Sequence, residues 1–355
     1  MKNEEANIGR CLEALLQHGF PKENIVLVDT GSTDRSVELA EKYLDTVYHF
    51  AWIDDFAAAK NHAASLATTD TVLILDADEY VEEADWAELE RLIKAHPHEA
   101  GTILRDNHIE KDGIHGMHRD RTERIYDRRE YAFFYPIHEQ LLPKNGGEGH
   151  YYEATLRVSH SGYLLSPEAT KKKAERNIFI LMKELEQRKE DPYILFQLGQ
   201  SYYFMEDMEH AVEWYEKGLK QKTDPKAEYV QMMVIGYGEA LLALEKNKEA
   251  LEYFSGIYEC FSFTPEFVFL MGQIYLNNGM LLQAYAEYLK CLQMKPNRTE
   301  GVTSFYAYHS IALINEMLGE KEAAIGFYKK AGDYPRSLAR LKELESEGMG
   351  QENNT

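Results

Sequence analysis

The chain has 355 residues, 44% of them hydrophobic, which suits two packed domains better than one small core. Its formal net charge of −21 excludes general attraction to a nucleic-acid polyanion and leaves only a local basic pocket for phosphate. Cys11, Cys260 and Cys291 lie far apart without metal-ligand spacing, so they read as free thiols rather than a disulfide framework or zinc site. There is no apolar run of about 18 residues to make a transmembrane helix. The opening Met1-Lys2-Asn3-Glu4-Glu5 is too polar for a signal peptide, and the expected location is the cytoplasm.

In the first part of the chain, short strands alternate with helices. Ile8, Cys11, Leu12 and Leu15 recur at helical spacing, and Phe20-Pro21 ends that helix. Residues 25–28 read as a buried strand, 34–43 as a helix, 47–50 as a strand, 56–67 as an Ala-rich helix and 72–75 as a strand. Such alternation predicts a largely parallel, doubly wound sheet. A helix over 86–95 and strands over 102–105, 122–126 and 155–160 follow.

From about Pro167 the grammar is helix upon helix. Ala211, Ala250, Ala284 and Ala323 recur at 34 to 39 positions, each followed by aromatics (Tyr215, Tyr253, Tyr288, and Phe327 with Tyr328) and preceded by a short turn. A small residue at a helix crossing lets two helices approach, and an aromatic fills the groove beside it. This resembles about four tetratricopeptide repeats. The expected layout is an α/β domain over 1–165, an all-α repeat domain over 166–344 and a disordered polar tail over 345–355.

The chemistry-bearing residues cluster in the first part. Asp76 and Asp78 sit where the strand over 72–75 ends, and two carboxylates there can share one hard divalent cation, Mg²⁺ or Mn²⁺. Open α/β sheets bind ligands at such strand ends. Asp29 closes another strand in Val28-Asp29-Thr30-Gly31-Ser32-Thr33-Asp34, which also fits a plain turn and helix cap. Asp54 and Asp55 start a helix that carries Lys60 and Asn61, which face either a nucleotide or water. Arg119, Arg121, Arg124, Arg128 and Arg129 read as a solvated strand face and loop, with a basic patch for a phosphorylated or acidic substrate as the alternative.

Taken in order, residues 28–34, Asp55-Phe56-Ala57-Ala58-Ala59-Lys60-Asn61 and Asp76-Ala77-Asp78-Glu79 resemble the family 2 glycosyltransferases of the GT-A fold. Lys2-Asn3-Glu4-Glu5-Ala6-Asn7-Ile8, Ile137-His138-Glu139-Gln140 and His160-Ser161-Gly162-Tyr163 match a subgroup that often carries C-terminal tetratricopeptide repeats. The resemblance implies a GT-A (Rossmann-like, mixed-sheet) domain and sugar transfer from a nucleotide diphosphosugar, UDP-linked. It implies that Asp29 contacts the base, that Lys2, Asn3 and Lys60 line the nucleotide pocket, and that Asp76 holds the ribose or the metal. Asp78 and His160 are then metal ligands, Glu139 is the general base and His138 stands beside it. The family's apolar strand before Lys2 is absent from the sequence, and its loss is expected to open the nucleotide pocket.

The implied reaction is a metal-assisted, inverting, in-line displacement onto a glycan, lipid-linked or peptide acceptor. The alternative is a non-catalytic peptide-binding scaffold with a degenerate first domain. A nucleotidyltransferase would need a Gly-rich triphosphate loop with a Lys or Arg, and none stands near the start. Homodimerisation is left open.

Overall fold

Ile8, Cys11, Leu12 and Leu15 form the buried face of α1 (Ile8–Gln17), as their spacing predicts. The structure is a computed structural model that describes residues 1–111, 114–160 and 167–352 and divides into two units, Met1–Lys173 and Ala174–Thr355.

In the first unit, β1 (Val28–Asp29), α2 (Ser36–Ala40), β2 (Tyr48–His49), α3 (Phe56–Ser65) and β3 (Thr71–Leu73) follow α1. Then come β4 (Glu79–Ala84), α4 (Trp86–Ala95), β5 (Ala100–Lys111), β6 (Ile114–Asp127), β7 (Tyr131–Phe134), β8 (Gln140–Pro143) and β9 (Tyr151–His160). Asp55 caps α3 by accepting from the Ala58 N–H, and Asp85 caps α4 through the Glu88 N–H.

The main sheet has the order β3-β6-β5-β9-β4. Only its β5–β9 pair is parallel; β3–β6, β5–β6 and β4–β9 are antiparallel. The largely parallel, doubly wound sheet expected from the alternation is therefore corrected, and the sheet is the mixed one that the family resemblance implies. The physical reason lies in β5 and β6. They are long strands joined across by ion pairs, Arg105 with Asp120 and Arg119 with Asp106, and hydrophobic patterning under-reads such strands. The parallel ladder that the alternation predicts is confined to the separate β1–β2 pair. Both faces of the main sheet are covered. Ile103, Ile125, Leu156 and Val158 pack with Leu15 of α1 and Leu89 of α4, while Val72 and Tyr126 pack with Ala57 and Ala64 of α3 and Phe133 of β7.

The helices of the remaining chain are α5 (Pro167–Gln187), α6 (Pro192–Phe204), α7 (Met208–Leu219), α8 (Glu228–Ala243), α9 (Asn247–Phe261), α10 (Pro265–Asn277) and α11 (Leu281–Cys291). α12 (Phe305–Met317), α13 (Lys321–Lys330) and α14 (Pro335–Glu352) complete them. α14 runs through 345–352, so these tail residues are helical rather than disordered; 353–355 lie outside the described residues. No described helix is long and apolar enough to cross a membrane.

Four hairpins, α6–α7, α8–α9, α10–α11 and α12–α13, repeat one turn. Glu206, Glu245, Gly279 and Gly319 each take positive φ (60°, 56°, 72° and 83°). Five residues after each comes a fully buried alanine: Ala211, Ala250, Ala284 and Ala324. The last anchor is thus Ala324, not the exposed Ala323. The buried aromatic stands one helical turn on, at Tyr215, Phe254, Tyr288 and Tyr328, so Phe254 replaces Tyr253 and, of the pair Phe327 and Tyr328, Tyr328 is the fully buried one.

Glycines complete the close approach. A Cβ on Gly199 would lie 2.5 Å from the Tyr215 ring, and one on Gly272 2.6 Å from the Tyr288 ring. Gly199→Ala and Gly272→Ala are each expected to destabilise the helical unit by about 1–3 kcal/mol through overpacking. Urea unfolding at unchanged slope checks this, and wild-type midpoints for both would refute the packing account.

Candidate active site

The Asp76–Glu79 turn is built by its own backbone. The Glu79 N–H donates to the Asp76 carbonyl, and the Asp76 N–H donates to Glu79 Oε2, both at 3.0 Å. The Ile74 N–H donates to the Arg124 carbonyl, which places Arg124 of β6 under the turn. Arg124 Nη2 donates to Asp76 Oδ2 at 2.6 Å and to Glu79 Oε1 at 2.7 Å, and Arg105 Nη1 lies 3.4 Å from Glu79. Lys60 Nζ lies 3.0 Å from the other Asp76 oxygen. Burial pushes the Asp76 carboxyl up, but Arg124 and Lys60 outweigh that and hold it well below the usual range.

Asp78 meets His160 across the β4–β9 ladder, which pairs Glu79 with His160. His160 Nε2 lies 3.2 Å from Asp78 Oδ2. Its Nδ1 lies 2.8 Å from Oδ1 of the buried Asn107. An Nδ1–H donated to that amide oxygen leaves the Nε2 lone pair facing a carboxylate, and a proton or a cation between them removes the repulsion. One imidazole nitrogen and one carboxylate oxygen, with the outer nitrogen anchored, fit Mn²⁺ better than Mg²⁺. Among the described residues, no three His, Cys, Asp or Glu side chains converge for a metal. Asp76 faces Lys60 and Arg124 instead, and Ser161 to Tyr163 lie outside the described residues. Glu4 joins the site electrostatically: burial, then the Asp78 charge, raise its carboxyl against the Asn7 amide.

Glu139 sits on the connection between β7 and β8, and α3 clamps that connection. The Phe56 N–H donates to the Pro136 carbonyl, while Asn61 exchanges hydrogen bonds with the Phe133 backbone at 2.8 and 2.9 Å. Asn61 is therefore a structural clamp rather than a nucleotide contact. Its neighbour Lys60 reaches Glu139 Oε1 at 2.7 Å and so bridges Glu139 to Asp76. Tyr135 and His138 both adopt positive φ (72° and 51°), strain of the kind that concentrates at functional sites. His138 Nε2 is buried without a partner, and burial pushes the imidazole down to about 4.

Asp29 is held by its own turn. It is buried, and its carboxylate accepts from the Gly31 and Ser32 N–H groups. These bonds overcome the upward push of burial and lower its pKa. Gly31, at φ 100°, provides the turn that aims those donors. Asn3 Oδ1 accepts from the Thr33 N–H at 2.8 Å, and the Asn3 N–H donates to Ser32 Oγ, so the opening segment is stitched to this turn. Lys2 stands 5.7 Å over the Trp52 ring. The Met1 carbonyl accepts from the Thr30 N–H, adding a backbone bond beside β1.

Arg124 departs from expectation. It is 4% exposed, not solvated. A signal for it was present: Tyr126, two residues on and hence on the same strand face, is an evident core residue, and an arginine beside it needs a carboxylate. No comparable signal marks Asn107.

Residues 1–160 match the glycosyl transferase family 2 model, and residues 192–225 and 265–298 match a tetratricopeptide repeat model. The layout of the chain is therefore that of a family 2 glycosyltransferase-like domain followed by tetratricopeptide-like repeats, in keeping with the mixed sheet and the helix hairpins. A TPR repeat-containing protein of Synechococcus elongatus is 28% identical over 71% of this chain and 64% of its own length. The SPbeta prophage-derived glycosyltransferase SunS of Bacillus subtilis is 22% identical over 66% of this chain and 55% of its own. The lipopolysaccharide core biosynthesis glycosyltransferase LpsC of Rhizobium meliloti is 31% identical over 23% of this chain and 30% of its own. The alignments thus span less than two thirds of each relative.

Proposed function

We propose that the first domain transfers a sugar from a UDP-linked sugar to a glycan, lipid-linked or peptide acceptor, with inversion, and that the helical repeats engage the acceptor or a partner peptide. The observation that carries this reading is one lysine, Lys60, joining Glu139 to Asp76 beside the Asp78–His160 pair. Asp78 and His160 hold a divalent cation, which neutralises the leaving diphosphate when bound. Asn107 fixes the His160 ring with Nε2 toward Asp78, where the two would hold the cation. Asp76 accepts from the ribose, and the turn of Asp29 with Lys2 and Asn3 forms the base pocket. Glu139 takes the acceptor's proton, and Lys60 keeps the two carboxylates from repelling each other. His138, with its imidazole neutral, shapes the connection that presents Glu139.

The full chain should melt higher with a UDP-sugar plus Mn²⁺ than with either alone, and a donor at a hundredfold excess over its Kd for the Mn²⁺-loaded protein should add about 2.7 kcal/mol over Mn²⁺ alone. A panel of nucleotide sugars read by thermal shift tests this. No shift with any donor, with or without metal, would leave a peptide-binding scaffold as the function.

A further inference from the structure

Arg124 and Glu79 are buried, charged and outside every role assigned above. A single nitrogen, Arg124 Nη2, serves both Asp76 and Glu79, at the two ends of one turn. The guanidinium does not fork onto one carboxylate, and its buried Nε has no hydrogen-bond partner. An ion pair that served stability alone would satisfy that nitrogen, because an unpaired buried donor is costly. Glu79 meanwhile grips the Asp76 N–H with its second oxygen. The turn is thus held at its first residue by a side chain from its last, and both are tied to β6. Asp78 lies between them, and among the described residues its side chain pairs with His160 from another strand. Whether Asp78 meets His160 depends on the angle at which this turn leaves β3.

We propose that Arg124 and Glu79 are positioning residues that lock the Asp76–Glu79 turn so that Asp78 and His160 face one divalent cation. This inference rests on the metal reading of the Asp78–His160 pair. Neither residue touches the cation. They act on its affinity through the backbone of the turn, as outer-shell groups do when they orient a ligand.

The test is Mn²⁺ binding to the full chain, followed by calorimetry and by the electron paramagnetic resonance of free Mn²⁺, with thermal melting alongside. Arg124→Met alone leaves the buried Glu79 charge with only the longer 3.4 Å contact from Arg105 and is expected to melt lower. The double variant Glu79→Met/Arg124→Met removes both charges together, is expected to melt near wild type, and should bind Mn²⁺ about 10–100-fold more weakly. Arg124→Lys keeps a charge but cannot aim two N–H groups from one planar nitrogen, and should fall between. Wild-type Mn²⁺ affinity in the folded double variant, or in Arg124→Lys should the double variant fail to fold, would overturn the proposal. Asp78→Ala separates the two readings. If it binds Mn²⁺ as wild type does, or if wild type binds none, the metal reading itself fails and this inference falls with it. If Asp78→Ala loses Mn²⁺ while the Arg124 variants keep it, only the positioning role is wrong.

Discussion

Asp78→Ala is expected to lower the rate of sugar transfer by about 10³-fold or more while leaving the protein folded. The size follows from what a ligand at the leaving group does: a cation there is worth several kcal/mol of transition-state stabilisation, and each 1.36 kcal/mol is about tenfold in rate. The fold should survive, because the Asp78 side chain is 22% exposed and faces His160. His160 keeps its Asn107 partner after the change. The Asp76–Glu79 turn keeps its backbone bond and its Arg124 clasp. Melting within about 2–4 °C of wild type corresponds to less than about 1 kcal/mol in a domain of this size. Transfer should be measured at saturating Mn²⁺ as well as at low Mn²⁺, since a weakened site that refills would recover at the higher level. Near-normal turnover under both conditions would remove Asp78 from the chemistry.

The second large effect is expected at Glu139. Glu139→Gln keeps the shape and one acceptor oxygen for Lys60 but removes the basicity, and should cut kcat by roughly 10²- to 10⁴-fold, the range for a positioned general base. Lys60 retains its ion pair with Asp76 at 3.0 Å, and Asn61 still holds the Phe133 backbone, so the β7–β8 connection should stay in place. Donor KM and Mn²⁺ dependence should therefore barely move. That split between kcat and KM distinguishes a base from a residue that merely braces the donor site. Equal losses in donor affinity and rate would make Glu139 a donor-site residue through Lys60, and an unchanged rate would send the search to another carboxylate.

Two of the site groupings were legible as residue types long before their contacts were. Asp76 and Asp78 announce themselves because carboxylates abruptly end an apolar strand. That Asp78 meets His160 is a matter of the β4–β9 register, and β4 itself, Glu79-Tyr80-Val81-Glu82-Glu83-Ala84, has too little apolar alternation to read as a strand. Lys60 and Glu139 were named separately. Their ion pair exists because Asn61 pins α3 to the β7 backbone, a pairing of distant backbone and amide groups that no local pattern encodes. Arg124 was misread for the opposite reason. Five arginines within eleven positions look like a wet surface, yet the strand alternates them between environments, and only the one beneath the Asp76–Glu79 turn is buried with two carboxylates.

The sequence by itself determined the division into an α/β part and a helical part, the capped helices, the recurrence of small residues and aromatics, and the residue types at the strand ends. Each of these is a local signal, set by side-chain periodicity, capping chemistry and turn preference within a few residues. Only the tertiary structure decided the strand order and register of the mixed sheet, that the last repeat is anchored at Ala324, that Asp29 is buried by its own turn, and that Arg124 clasps Asp76 and Glu79. Those outcomes depend on strand register and on which face packs inward. A one-residue shift in either carries a side chain from solvent to core, and only the packing of the whole domain selects between the two.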